Sequence, residues 1–501
     1  MTGTPEHVGV LIVGAGLSGI GAAAHLRRAF PRRDYAILEA RETLGGTWDL
    51  FRYPGIRSDS DMFTLGYRFR PWVGDKAIAD GASILSYLRD TAAEYGVDSH
   101  IRYGHRVLRA DWSSADQRWT VTVGRSDPGD TVTLTADFLF CCSGYYRYDR
   151  GYLPDLPGLD RFGGTVVHPQ HWPEDLAVDG KRVVIIGSGA TAVTLGPALA
   201  DLGAHVTQLQ RSPSYILSVP ARDDFAGRAR RLLPPRAVYA VARAKNIAMS
   251  TAIYQLSQRY PDRMRAWIRD LQRRRLPDGY DLDTHLTPRY DPWDQRLCLV
   301  PDGDLFRAIR KGRVELVTDR IEEFTATGVR LASGTVLDAD VVVTATGLDL
   351  LIFGGIELSV DGKPVDVPNA MAYKAMMLSD VPNFAYVIGY TNASWTLKAD
   401  LVCQYVVRLL RYLDAHGYAS ATPVRDPAVG TAPFLPNFSS GYVLRAADRL
   451  PVAGDRRPWR LSMNYLRDIP AFRFGRIADG TLTFARRHAA APPLTRAAGD
   501  R

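Results

Sequence analysis

Two glycine fingerprints limit what this chain can fold into: Gly14-Ala15-Gly16-Leu17-Ser18-Gly19 and Gly187-Ser188-Gly189-Ala190-Thr191-Ala192. Each follows an apolar run that reads as a buried strand, Val8–Val13 and Arg182–Ile186. Each opens a helical pattern, Leu17–Phe30 and Thr191–Leu202. Strand, glycine turn and helix together begin a dinucleotide-binding unit. The glycines permit the tight turn and the close approach of a pyrophosphate, which then rests on the helix N-terminus. One fingerprint holds one dinucleotide, so two of them predict an α/β protein with two Rossmann-like domains facing each other. The linker Phe162–Pro173 lies between the two fingerprints.

The ends of the second strands distinguish the two sites. Tyr35–Leu38 ends in Glu39, whose carboxylate accepts from ribose hydroxyls and repels a 2′-phosphate; this site suits FAD or NAD. His205–Gln210 ends in Arg211-Ser212 with no acidic residue. An arginine there forks onto a 2′-phosphate, so the second site suits NADPH.

Gly45–Asp61 has no helical or strand period and is rich in glycine, aromatic and small polar residues. Loops of this length in compact domains are usually functional. Asp59 and Asp61 also suit turns or caps. Ile84–Tyr95 reads as an amphipathic helix. His105–Asp111, Arg118–Val123 and Val132–Thr135 read as three antiparallel strands, with Val107 placed to meet an adenine edge. Phe138–Cys142 reads as a separate buried strand ending at Ser143-Gly144, and Val341–Thr344 repeats that ending at Gly347. The expected layout is a discontinuous FAD domain (1–148 and 348–501), an NADPH domain (149–220 and 281–347) and a helical insertion (221–280) in the second. After Gly347 the chain returns to the first domain through a strand at Pro382–Gly389 and a helix at Lys398–Leu413, with Thr391–Trp395 meeting the flavin. The last ten or so residues read as frayed.

Composition enters in three places. No apolar run approaches the roughly 18 to 20 residues of a membrane span, and the polar start Met1–His7 leaves no room for a signal peptide, so a cytoplasmic protein is expected. The net charge of +8 is concentrated between Arg222 and Gly279, where Arg and Lys outnumber Asp and Glu by more than two to one. Apolar residues at helical spacing interrupt these arginines. They read as solvated helix faces rather than a nucleic-acid surface, with weak membrane-surface association as the lesser reading. Cys141, Cys142, Cys298 and Cys403 form no CxxC pair, which argues against a metal cluster and against a disulfide relay beside a flavin. Electrons passed from NADPH to FAD then have dioxygen as their other common acceptor.

The linker carries Phe162, Gly164, His168, Trp172 and Pro173 in the pattern FxGxxxHxxxW[P/D]. Gly45, Gly46, Trp48, Tyr53, Pro54, Gly55 and Asp59 fit [A/G]GxWxxxx[F/Y]P[G/M]xxxD. With both patterns in register, the chain resembles the flavin-dependent Baeyer–Villiger monooxygenases over essentially its full length. Gly45–Asp61, Trp293–Asp304 and Gly389–Asp400 bring it nearest the branch that activates thioamides such as ethionamide.

The resemblance implies an FAD- and NADPH-dependent enzyme that uses dioxygen to turn ketones into esters or lactones through a C4a-peroxyflavin. Oxygenation of sulfides and thioamides is the implied side activity, and a nitrogen- or sulfur-directed flavin monooxygenase is the alternative. It also implies that Arg296 is the active-site cation and that Asp59 orients it. The cofactor set comprises Gly14, Gly16, Ser18, Gly19 and Glu39 at the first fingerprint, and Gly46, Thr47, Trp48, Asp49, Leu50, Arg57, Ser58, Asp59 and Val107 around the flavin. On the NADPH side it comprises Gly187, Ser188, Gly189, Ala190, Thr191, Ala192, Arg211 and Ser212. No metal is implied. Many relatives carry lysine just before the arginine. Gln295 stands there here, which shifts discrimination for NADPH onto Arg211 and Ser212. His168 is implied to couple domain movement to turnover rather than to act as an acid or base.

Overall fold

The computed structural model describes residues 5–487 except 128, 436 and 437, so the expected frayed tail lies almost wholly outside the described residues. The strand Glu6–Val13 is buried on both faces from Val10 onward, and Tyr35–Leu38 is buried throughout. Strands of this kind belong inside a parallel sheet covered on both sides. They pair in parallel with each other, and Glu6–Val13 also pairs in parallel with Thr131–Cys141. Arg106–Ser113 and Arg118–Gly124 extend this sheet as antiparallel strands, and with the strands described below and two short edge strands it has nine among the described residues.

One expectation is corrected here. The two short strands foreseen at Val132–Thr135 and Phe138–Cys142 are a single strand, Thr131–Cys141. Its first half alternates exposed and buried residues and its second half is continuously buried. The change of pattern marks where the strand passes from the antiparallel extension into the covered sheet, not a break in the backbone.

The second sheet has five strands, all parallel, in the order Val314–Thr318, His205–Gln210, Arg182–Ile186, Val341–Val343 and Thr165–Val167. The linker is therefore partly an edge strand of this sheet. After Gly347 the chain adds Glu357–Val360 and Phe384–Tyr386 to the first sheet, pairing with Arg106–Ser113 and Thr131–Cys141. The helix Trp395–His416 then packs on Leu17–Ala29 and ends at Gly417, in the left-handed conformation that closes helices.

The two crossings between the sheets run side by side. Arg147 N–H donates to Asp349 O at 2.9 Å, Leu351 N–H to Tyr145 O at 2.9 Å and Tyr152 N–H to Gly347 O at 3.1 Å. The Arg147 side chain adds a 2.9 Å ion pair with Asp349.

The stretch expected as an insertion, 221–280, holds the helices Asp224–Ala229, Pro235–Arg259 and Pro261–Arg273, and proline opens the two longer ones, where its missing N–H costs nothing. Arg243, 5% exposed, anchors the long helix to the first sheet's side of the molecule. Its Nη1 donates to Phe63 O (2.7 Å), Gly66 O (2.8 Å) and Tyr239 Oη (3.1 Å), and Nη2 lies 4.0 Å from the buried Asp400. These carbonyls end the short helix Met62–Leu65, whose N-cap is Asp61. Arg243→Ala leaves those carbonyls and Asp400 buried without their cation. The expected cost is about 3–5 kcal/mol, read as a lower urea midpoint than that of the exposed control Arg259→Ala.

Candidate active site

The two fingerprints fold alike. Gly14 (φ +98°) and Gly187 (φ +147°) take a conformation that side chains rarely adopt. A Cβ on either would press against the backbone at the end of the neighbouring strand, 2.8 Å from Cys142 O and 2.4 Å from Ala345 O. The helices that follow open on Gly16 and Gly189, with no side-chain cap and no acidic residue in the first turn. Their first N–H groups and positive dipole ends are thus left for an anion. Gly46 (φ +55°) closes on Gly16 so tightly that an added Cβ would sit 3.1 Å from Gly16 Cα.

A cavity of about 670 Å³ runs between the two halves. From the first half Gly14, Gly16, Ser18, Glu39 and Val107 line it, joined by Gly46, Thr47, Trp48, Leu50, Arg57, Ser58 and Asp59. From the second half it takes Ala190, Thr191 and Arg296. Glu39 is 5% exposed, and its carboxylate accepts from Ala15 N–H (2.7 Å) and Arg41 N–H (3.0 Å) while burial pushes its pKa up. Ser18 Oγ accepts from Trp395 Nε1 at 2.8 Å, which fixes Trp395 at the cavity wall.

Asp59 and Arg296 meet across the cavity wall. Arg296 donates through Nε to Asp59 Oδ2 (2.5 Å) and through Nη2 to Oδ1 (2.8 Å), a forked pair that fixes the guanidinium plane. Asp59 raises the pKa of Arg296 further above its ordinary value, so the cation holds its charge. Nη1 has no partner among the described residues and is the donor left for a ligand. A second bond of the same sort is made by Arg57, whose guanidinium pairs with Asp304 at the first turn of the helix Asp304–Arg310.

Several expected residues lie elsewhere. Asp49 is 3% exposed, with its carboxylate taken by Arg41 (2.6 Å) and Thr43 (2.7 Å); it holds the Gly45–Thr47 turn rather than facing the cavity. Gly19 is buried against Gly14 O, and Ala192 is buried in the second half's core. Gly187, Ser188 and Gly189 turn the backbone outside the cavity lining, with Ser188 Oγ 2.9 Å from Ser214 Oγ. Arg211 and Ser212 are exposed just past the end of His205–Gln210, the position that Glu39 occupies in the first half.

No sequence motif pointed to Tyr145 and Tyr146, which line the cavity after the Ser143-Gly144 turn, Tyr145 stacking on Trp395 at 5.1 Å. Nor did any point to Asp304. Neither has a period or spacing that sets it apart from surface residues.

His168 sits where the crossings meet. Its Nδ1 accepts from Gln170 N–H (3.2 Å), so Nε2 carries the hydrogen and donates to Gly347 O (3.2 Å). Gly151 makes room for the ring, since a Cβ there would fall 1.9 Å from Cε1.

Residues 77–410 match the model of the FMO-like family, described as flavin-binding monooxygenase-like. The chain belongs to this family. Residues 12–71 also match an NAD(P)-binding Rossmann-like domain. The chain is 58% identical to the FAD-containing monooxygenase EthA of Mycobacterium tuberculosis, over 97% of this chain and 99% of that one. It is 48% identical to the probable FAD-binding monooxygenase AlmA of Acinetobacter baylyi, over 96% of each. Its fold is like that of an oxidized steroid monooxygenase bound to NADP, with a TM-score of 0.75 at 24% identity over 96% of this chain and 100% of that one.

Within this flavin-binding monooxygenase, burial lowers the pKa of His168. A depressed histidine favours the fold most when neutral. Its contribution is complete above the unfolded pKa of about 6.5 and is lost as pH falls from there toward the folded value. Protonation also removes the Nδ1 acceptor. Wild type should therefore lose more thermal stability than His168→Gln between neutral pH and mild acid; equal losses in the two would contradict this.

Proposed function

We propose that the chain is an FAD- and NADPH-dependent Baeyer–Villiger monooxygenase. In this reading the half containing Gly14 (1–148 and 348–501) holds FAD. The half containing Gly187 (149–220 and 281–347) holds NADPH, and 221–280 is an insertion that helps shape the substrate side. The observation that carries it is the forked Asp59–Arg296 pair at the wall of the cavity the two halves share.

The residues present fit a flavin dinucleotide. The uncapped helix at Gly16 suits the pyrophosphate, and the close approach of Gly46 to Gly16 leaves little room for a side chain on Gly46. Glu39 suits a ribose diol, and Trp48, Tyr145 and Trp395 supply apolar walls. FAD held there would supply, once reduced by NADPH, the electrons for dioxygen chemistry in which one oxygen atom enters beside a ketone carbonyl to give an ester or lactone and the other leaves as water.

The protein's part is electrostatic. Asp59 and Arg296 together are neutral, but the pair presents its positive end, through Nη1, to the cavity. A fixed donor of this kind stabilises oxygen-centred negative charge without reorganising as that charge develops. The role of Asp59 is to lock the plane of the guanidinium and keep it charged. Tyr145, Tyr146 and Trp395 keep water away from the same region, which strengthens the charge interaction.

A sulfur or nitrogen nucleophile attacks without a stabilised anion, so oxygenation of sulfides or thioamides depends less on Arg296. That separates the main reading from its alternative, a flavin monooxygenase confined to nitrogen and sulfur.

Arg296→Ala should lower ester formation from a ketone by about 10²–10³-fold. NADPH oxidation continues and its electrons appear as hydrogen peroxide. Sulfide oxygenation falls less. Ester formation at wild-type rates in this variant would remove the basis for the ketone assignment.

In the same reading Arg211 meets the 2′-phosphate. Arg211→Ala should raise KM for NADPH by roughly tenfold and leave KM for NADH nearly unchanged. Equal changes for the two cofactors would assign the phosphate to another group.

A further inference from the structure

The long insertion helix Pro235–Arg259 has two contrasting faces. Its inner face reaches the active-site loops: Asn246 Nδ2 donates to Asp61 Oδ1 at 2.9 Å, Arg243 holds the carbonyls beyond Met62–Leu65, and Tyr254 packs edge-on against Trp293 at 5.9 Å. Its outer face is exposed and almost free of charge. Val241 (45% exposed), Met249 (54%) and Leu256 (47%) fall within one narrow sector of the helix, separated by alanines at 244, 248 and 252. Lys245 stands within the stripe, four residues from both Val241 and Met249, and its charge is half-buried and paired with Asp223 at 2.7 Å. A solvated helix face ordinarily carries charge along its length.

Both ends of the stripe are basic. Arg228, Arg231 and Arg236 stand before it, and Arg259 and Arg263 after it; all five are exposed and take no salt bridge among the described residues. The exposed carboxylates nearby are Asp75, Asp224 and Asp262; Asp75 already pairs with Arg230 and Asp262 with Arg265. Large apolar side chains continue past both ends: Leu232 is 87% exposed, Tyr260 45% and Trp267 41%. No helix among the described residues is long and apolar enough to cross a membrane.

We propose that this face of the insertion seats the protein on an anionic lipid surface, with the Val241–Leu256 stripe in the headgroup boundary and the two arginine clusters on lipid phosphates. An apolar stripe flanked by arginine, with tryptophan and tyrosine at the edge, matches the chemistry of an interfacial helix. The other natural occupant is a second copy of the chain. Two antiparallel copies of the stripe set one copy's leading arginines against the other's trailing ones, and a parallel pair sets like clusters together. Either arrangement opposes cation to cation, whereas an anionic surface neutralises both clusters. The seat also lies one helix diameter from Asp61 and Trp293, so an apolar substrate dissolved in the bilayer reaches the insertion first.

The test is flotation of the flavin-loaded protein with vesicles of phosphatidylglycerol mixed with phosphatidylcholine, and with vesicles of phosphatidylcholine alone. Wild type should float with the anionic vesicles, at least about tenfold more than with the neutral ones, and the difference should shrink as salt is raised. The triple substitution Val241→Ser, Met249→Ser, Leu256→Ser changes only exposed side chains; it should abolish flotation with NADPH oxidation intact. Arg228→Gln with Arg231→Gln and Arg236→Gln should remove the preference for anionic vesicles. The proposal is overturned if wild type stays at the bottom with anionic vesicles, or if light scattering finds a dimer that the serine variant dissociates.

Discussion

The forked bond between Asp59 and Arg296 is the constraint on which the rest of the molecule converges. Its carboxylate comes from the irregular loop after the first fingerprint, and its guanidinium from the segment that leads into Cys298–Pro301 in the second half. Neither loop has regular structure to hold it. Asp61 caps Met62–Leu65 two residues beyond Asp59, and Asn246 and Arg243 pin that helix from the insertion. On the other side, Ser439 N–H donates to Asp294 O at 2.8 Å. A charge pair at a cavity wall gains precision only when both partners are held, and here each is held by a different part of the chain.

The same division of labour appears where the chain crosses between the sheets. The crossings pair with each other through three backbone hydrogen bonds and the Arg147–Asp349 ion pair. His168 closes the end of this ribbon on Gly347, in a tautomer fixed by Gln170 N–H. Two strands that pair with each other bend together. The Arg57–Asp304 pair is a second charged bond between segments that line or adjoin the cavity.

The reading from sequence succeeded where chemistry is local. A glycine that must take positive φ, a carboxylate at the end of a strand and a run of apolar residues each report their surroundings within a few positions. Gly14, Glu39 and Tyr35–Leu38 could be read for that reason. It was less reliable where one segment serves two environments. Thr131–Cys141 looked like two strands because its burial pattern changes halfway along, and the edge strand Thr165–Val167 was hidden inside a linker motif because three residues carry no period. Asp49 was grouped with residues expected to touch the cofactor, yet its carboxylate is held by Arg41 and Thr43, which lie close in sequence but face it only after the turn has formed.

The sequence by itself determined the two strand–turn–helix units, the acidic and basic ends of their second strands, and, through the resemblance its motifs carry, the pairing of Asp59 with Arg296. Only the tertiary structure decided which side chains share the cavity. It placed Tyr145 and Trp395 in a stack, although they are 250 positions apart in the chain. It set Asp304 against Arg57, and it turned the insertion helix so that one face holds the active-site loops and the other is bare. The physical reason is range. Backbone conformation and burial follow from neighbours along the chain, whereas a contact between distant residues depends on how the sheets and the insertion pack, and no local pattern records that.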